Sequence, residues 1–413
     1  MQKLRDIFGQ GALWAVVAIG FALPISTALD NVLLFLVLLM GILSGVFWQQ
    51  RVLIRHNPVA IAALLLCGLL VLGSFHGQGA GSDAISVLGK YADLWFIALL
   101  LPLFKESRYR RYGLALFMAA MALTLVLSYL IWFGVFEGTR FFVERGRDNP
   151  VVFKLHITHG IFMAFAAYLF AIKARSEIGQ MKVLLAALAL LAAFNVLFMV
   201  QGRTGYLVLG VLGIYFLYSL LGRRALWFGV AAATALSMVG YSVSPTLQGR
   251  VDIALHEAQV WQPGRGNNES SSIGTRMDYY TNTLKIIVQH PLVGVGTGGF
   301  EKAYEQQIAG TAVAPSNNPH NQFLLIAAQL GLPGLAAFIY LLVTQWRTAS
   351  TLSAEEERLF ARGLVLTMIA GSLFNSMMLD HAEGLFFAWL SGLLFAGYRQ
   401  PAVGKGHEVK IPN

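Results

Sequence analysis

Charge and cysteine are both scarce in this chain of 413 residues, and so are the motifs of nucleotide and metal chemistry. Only 12% of the residues are charged. Soluble globular domains carry roughly 25%, so the chain does not belong to that class. Cys67 is the one cysteine, which excludes an intramolecular disulfide and a cysteine-cluster metal site. Its apolar surroundings make it a packing residue. No G-x-x-x-x-G-K-[ST] loop is present, so nothing points to ATP-driven transport, and no G-x-S-x-G elbow offers a serine nucleophile. An Asp-x-Asp pair that would hold a divalent ion on a sugar diphosphate is also missing.

What the chain has instead is apolar sequence. Hydrophobic residues make up 56% of it, and the mean hydropathy is +0.63. Runs of about 20 apolar residues recur, each long enough for a ~30 Å hydrocarbon core. A transmembrane barrel would show ~10-residue alternating segments. The expected class is an all-α integral membrane protein of twelve spans, at about 11–29, 31–49, 58–75, 86–104, 112–136, 151–172, 183–200, 204–221, 225–243, 321–346, 359–378 and 382–398. The fourth is the weakest, because Lys90 and Asp93 stand in its first turns. The first run follows Met1-Gln2-Lys3-Leu4-Arg5 with no small-residue cleavage site, so it reads as an uncleaved helix.

With twelve spans both termini share one side. That side gathers nineteen of the 30 Lys and Arg residues but only seven of the 21 acids; the other has eleven basic and fourteen acidic residues. Basic loops stay in the cytoplasm, so both termini are expected there. The net charge of +9 is spread over these loops and does not indicate nucleic acid. The expected organisation is nine spans in 1–243, an outward loop at 244–320, three spans in 321–398 and a cytoplasmic tail at 399–413.

The loop of roughly 75 residues is the one sizeable region outside the membrane. Within it Ile273, Met277, Tyr280, Leu284 and Ile287 recur at helical spacing, and Pro291 ends that amphipathic helix. A second helix is expected at about 246–260, a turn-rich connector at 263–272 and a flexible glycine bend at 294–299.

Candidate chemistry collects on the outward side. Arg203 sits in the short turn before the eighth span. It is either an interfacial anchor or an anion clamp, since the planar guanidinium suits phosphate oxygens. Arg276 lies near the start of the amphipathic helix, where its charge opposes the helix dipole. It is either a solvated charge or the sign of an anionic partner. His320, in Ser316-Asn317-Asn318-Pro319-His320-Asn321, stands where the loop meets the tenth span. It can be a helix-capping residue or a general base. Possible supporting residues are Asp380 with its neighbours His381 and Glu383, Asn318, Arg265, Arg147 and Lys154. His156 and His159 have metal-site spacing, but no further ligands are suitably spaced, so neither a metal nor another cofactor is expected.

Twelve spans, the single large loop, Arg203 in its turn, Gly274-Thr275-Arg276, and His320-Asn321-x-x-Leu324 leading to Gly331-x-x-Gly334 together resemble the O-antigen ligase family. Two positions depart from the common pattern: Gly202 where many members have serine, and Gln329 where many have glutamate. O-antigen polymerases and bacterial O-linked oligosaccharyltransferases share the signature; the compact length, without a large C-terminal extramembrane domain, looks more like the ligase. The resemblance implies a membrane glycosyltransferase without a cofactor. It would move O-antigen from undecaprenyl diphosphate to lipid A–core on the periplasmic face of the inner membrane. His320 would be the base, and Arg203 and Arg276 would bind the donor diphosphate. A twelve-span transporter is the alternative from another class. It calls for polar midplane residues in both halves, whereas the candidates here cluster on one face.

Overall fold

The structure is a computed structural model. It describes residues 2–77, 82–135, 146–224, 245–266 and 272–398, with isolated positions between 225 and 244. Most of the expected span 225–243, most of the stretch between the expected fifth and sixth spans, the 267–271 part of the connector and the tail 399–413 lie outside the described residues.

Every regular element among the described residues is a helix. In order they are α1 (Gln2–Ile25), α2 (Thr27–Ser44), the short α3 (Val46–Gln49) and α4 (Arg51–His56), α5 (Pro58–Gly73), α6 (Ser82–Tyr91), α7 (Asp93–Leu100), α8 (Ser107–Trp132), α9 (His156–Ser176), α10 (Gly179–Phe194), α11 (Arg203–Leu221), α12 (Pro245–Val260), α13 (Ser272–Gln289), α14 (Phe300–Ile308), α15 (Gln322–Ala349), α16 (Glu355–Ser372) and α17 (His381–Phe395). A π-turn, Asn195–Met199, extends α10. Seven of these are long and apolar enough to cross a bilayer: α1, α2, α8, α9, α10 with its π-turn, α11 and α15. The apolar helices α5 and α17 are shorter, at 16 and 15 residues, or roughly 24 Å. The protein is an all-α, multi-pass membrane protein. The expected fourth span is not one helix: it breaks into α6 and α7, and the buried Asp93 opens α7.

The packing grades from centre to rim. The apolar stretch of α9 is 83% buried, whereas those of α10 and α11 are 17% and 28% buried. At the centre Phe117, Phe162, Phe165, Phe386 and Trp389 pack ring on ring, and the Trp389 indole donates to the Val16 carbonyl at 2.9 Å. At the rim Phe35, Val183, Leu190 and Phe198 stay exposed. A continuous apolar surface of that kind calls for lipid.

Polar contacts gather at the two ends of the bundle. At one end Arg110 is buried and pairs with Glu357 at 2.9 Å, Lys173 pairs with Glu356, and Arg175 reaches Glu355 at 3.5 Å. Three successive glutamates at the start of α16 thus hold α8 and α9. The opposite end carries Lys154 on Thr27 Oγ1 at 2.8 Å, His381 on Asp30 at 3.0 Å, Thr158 on Glu383 at 2.7 Å and Asn375 on Thr204 at 3.0 Å. There α9 and α11 come so close that Gly205 meets the Gly160 backbone, the small-residue contact that membrane helices use.

The segment 245–320 folds over this second end. The periodicity of 273–290 is realised in α13, which stops before Pro291, and α12 fills the other expected helical stretch. The Trp261 indole donates to Asp278 at 2.9 Å and ties the two together. A small apolar core of Ile286, Val295, Phe300, Tyr304, Leu325 and Ala328 joins α13, α14 and α15. The glycine bend is pinned in place. Gly331 takes φ 69° and breaks the α15 hydrogen-bond ladder. Val295 N and Gly296 N then donate to the carbonyls of Ala328 and Gln329, and Thr297 N donates to Gly73 O at the end of α5. Gly296 has φ +86°, and a Cβ there would run into the His76 carbonyl. Gly296→Ala is expected to cost about 1–3 kcal/mol of strain, read as a lower Tm of the detergent-solubilised protein. Gly68→Ala, in open space within α5, is expected to leave Tm unchanged or slightly raised.

Candidate active site

His320 is held by its own loop. Its φ is +52°, the one positive value at a non-glycine residue among the described residues, and such strain persists only where neighbours over-determine it. Here Asn318 Oδ1 accepts from His320 N at 2.8 Å and from the Ser376 hydroxyl at 2.6 Å. One residue on, Asn321 caps α15 by accepting from Leu324 N at 3.0 Å, and its amide donates to the Leu373 carbonyl at 3.0 Å. The Tyr280 hydroxyl donates to that same carbonyl at 2.9 Å. The imidazole stacks on the Tyr279 ring with centroids 5.8 Å apart and planes 25° apart. Burial, and then the nearby Arg276 charge, hold its pKa below the usual histidine range. A neutral ring at working pH is able to accept a proton.

Arg203 is the first residue of α11, and Arg276 lies in the first turns of α13. They line one cleft of about 420 Å³ with Thr204, Leu207, Ile273, Met277, Tyr280 and Phe374. Burial lowers the Arg276 pKa, and repulsion from Arg203 adds to this. Two arginines near two helix N-termini, the residue type whose planar fork suits phosphate oxygens, thus face one space with the apolar side chains of Leu207, Ile273, Met277 and Phe374.

His320 lines a second cavity of about 460 Å³. Phe374 and Asn375 stand between the two spaces: Phe374 faces the arginine cleft, while Asn375 faces the second cavity and donates to Thr204 at 3.0 Å. The histidine and both arginines, 117 positions apart from first to last, thus meet at one end of the bundle.

The supporting candidates divide. Asn318 shapes the His320 loop and lines the second cavity. Asp380 caps α17 through Ala382 N at 3.0 Å and lines it too. Lys154 lines neither space; besides its bond to Thr27 it lies near Asp30, Glu383 and Asp380. Arg265 is exposed in the turn after α12, and Arg147 is exposed with its guanidinium against Gly134; neither lines either of these two spaces. His156 faces the second cavity, whereas His159 is buried on Asn195 at 3.1 Å, so the two do not share a site.

Sequence reasoning missed much of the second cavity, which Asp83, Lys90, Glu301 and Gln329 also line, together with Glu383, already a candidate beside Asp380. One signal was available. Asp83, Ser86, Val87 and Lys90 keep helical spacing on one face, and Lys90 is one of the two charges, with Asp93, that made the fourth span look weak.

The fold and this end of it define a multi-pass membrane protein with a cationic cleft beside a half-buried histidine. Residues 186–339 match the model of the O-antigen ligase family, a stretch that contains Arg203, Arg276, His320 and Gly331-x-x-Gly334. The chain carries that family's signature. Family members are glycosyltransferase-like enzymes of O-antigen processing. An uncharacterized protein of Haemophilus influenzae is 30% identical over 82 residues, 19% of this chain and 21% of that protein. The chain therefore spans about a fifth of the curated relative it matches.

Proposed function

We propose that the protein is an O-antigen ligase. It transfers a glycan from undecaprenyl diphosphate to a sugar hydroxyl of lipid A–core at the periplasmic face of the inner membrane. The observation that carries this is the cleft shared by Arg203 and Arg276 next to His320. In this account the lipid diphosphate lies in the cleft, with its polyprenyl chain along Leu207, Ile273, Met277 and Phe374. The acceptor oxygen attacks C1 of the glycan as His320 takes its proton. The bond from C1 to the phosphate oxygen breaks, and that oxygen leaves with the electron pair, stabilised by the two guanidinium groups. Attack opposite the leaving group inverts the anomeric centre. In this account residues 244–320 form the periplasmic loop whose described helices roof the site, the termini are cytoplasmic, and no metal or other cofactor takes part.

The family signature is shared by polymerases, which use the same donor but extend another lipid-linked glycan, so the acceptor is what distinguishes the readings. Deleting the gene and examining lipopolysaccharide tests this. A ligase predicts loss of all capped core while long lipid-linked chains accumulate. Core that carries single repeat units would instead make the protein a polymerase.

A further inference from the structure

The two spaces that meet near His320 differ in chemistry. The arginine cleft has two cations over apolar walls. The second cavity carries four carboxylates, Asp83, Glu301, Asp380 and Glu383, against the single lysine Lys90. Besides the imidazoles of His156 and His320, its other polar groups are amides and hydroxyls, among them Asn317, Gln329, Ser86 and Thr158. A diphosphate would be repelled there by like charge, whereas carboxylates, amides and hydroxyls in one cavity suit the many hydroxyls of a sugar.

Glu383 makes this more specific. It is 4% exposed, in the first turn of α17. Its Oε1 accepts from the Thr158 hydroxyl at 2.7 Å. Its Oε2 meets no nitrogen or hydroxyl donor among the described residues, and the neighbouring Asp380 carboxyl can hydrogen-bond to it only while one of the two acids holds a proton. A buried acceptor without a donor is costly, and a second carboxylate beside it raises that cost. Lys154 lies close enough to offset part of the charge but bonds Thr27 instead. What Oε2 lacks is a neutral donor from the cavity side.

We infer that the second cavity seats the acceptor sugar, that Glu383 Oε2 accepts a hydrogen bond from one of its hydroxyls, and that the sugar held there carries no phosphate. This rests on the transferase reading proposed above. Glu383 is then a specificity-determining residue that orients the acceptor while His320 handles the proton.

The test is a steady-state assay of the full-length protein in lipid nanodiscs with an undecaprenyl-diphosphate-linked glycan. Two lipid A–core acceptors are compared, identical except for a phosphate on the terminal sugar. For Glu383→Gln the acceptor KM is expected to rise about tenfold or more, with the donor KM unchanged. An unchanged acceptor KM, or a rise in donor KM alone, would overturn the assignment. The exposed pair Asp83→Asn and Glu301→Gln at the cavity wall decides the matter if Glu383→Gln does not fold. It is expected to narrow the preference for the unphosphorylated acceptor, and an unaltered preference would overturn the charge argument. Wild-type protein that modifies neither acceptor would remove the transferase reading itself.

Discussion

His320→Ala is expected to lower the rate of glycan transfer by about 10²–10⁴-fold, the usual contribution of a positioned general base. Membrane insertion and donor binding should survive, because the ring caps nothing. Asn321 supplies the cap of α15, and Asn318 holds the loop through the His320 main chain. The pH profile gives an independent sign. A histidine whose pKa is depressed stays neutral below its ordinary value of about 6.5. Transfer should therefore persist through neutral pH and fall only as the pH drops through that lowered value. Burial and the Arg276 charge cause the depression. Arg276→Gln removes the charge, raises the histidine pKa and should move the acid limb of the residual activity to higher pH. A limb that stays in place would separate Arg276 from His320.

Arg203→Ala should cost about 10²–10³-fold in kcat, the loss seen when one donor to a developing anion is removed. Arg203→Lys keeps the charge at the start of α11 but loses the planar fork, and lysine offers a phosphate only a point charge. Partial recovery is expected, well short of wild type, as measured by release of undecaprenyl diphosphate. An Arg203→Ala protein as active as wild type would leave the arginine as an interfacial anchor.

These residues were legible in the sequence for a simple reason. Alternation of basic loops assigned Arg203, Arg276 and His320 to one side before any coordinates, and the 3–4 spacing of Ile273, Met277 and Tyr280 outlined the helix that carries Arg276. The second cavity was not legible. Its lining comes from α6, α9, α14, α15 and the turn before α17, and α6 and α14 are short. Glu383 read either as a supporting residue beside Asp380 or as part of a polar turn, because one sequence does not show that an acid at a helix start is sealed against Thr158. The glycines at 294–299 read as flexible, yet the carbonyls freed by the Gly331 kink hold them, the partner of Gly296 being Gln329, 33 positions away. Lys154 and Arg147 read as candidates for the site by side and charge; Lys154 donates to Thr27 near Asp380 and Glu383, and the Arg147 guanidinium lies against Gly134.

The most direct measurement reconstitutes wild-type and His320→Ala protein with an undecaprenyl-diphosphate-linked glycan and lipid A–core. It follows release of the lipid diphosphate together with the anomeric configuration of the new linkage. The account predicts that wild-type protein releases one undecaprenyl diphosphate per glycan transferred, with inverted configuration, and that His320→Ala binds the donor but does not transfer it. Retained configuration, or full transfer by His320→Ala, would contradict it.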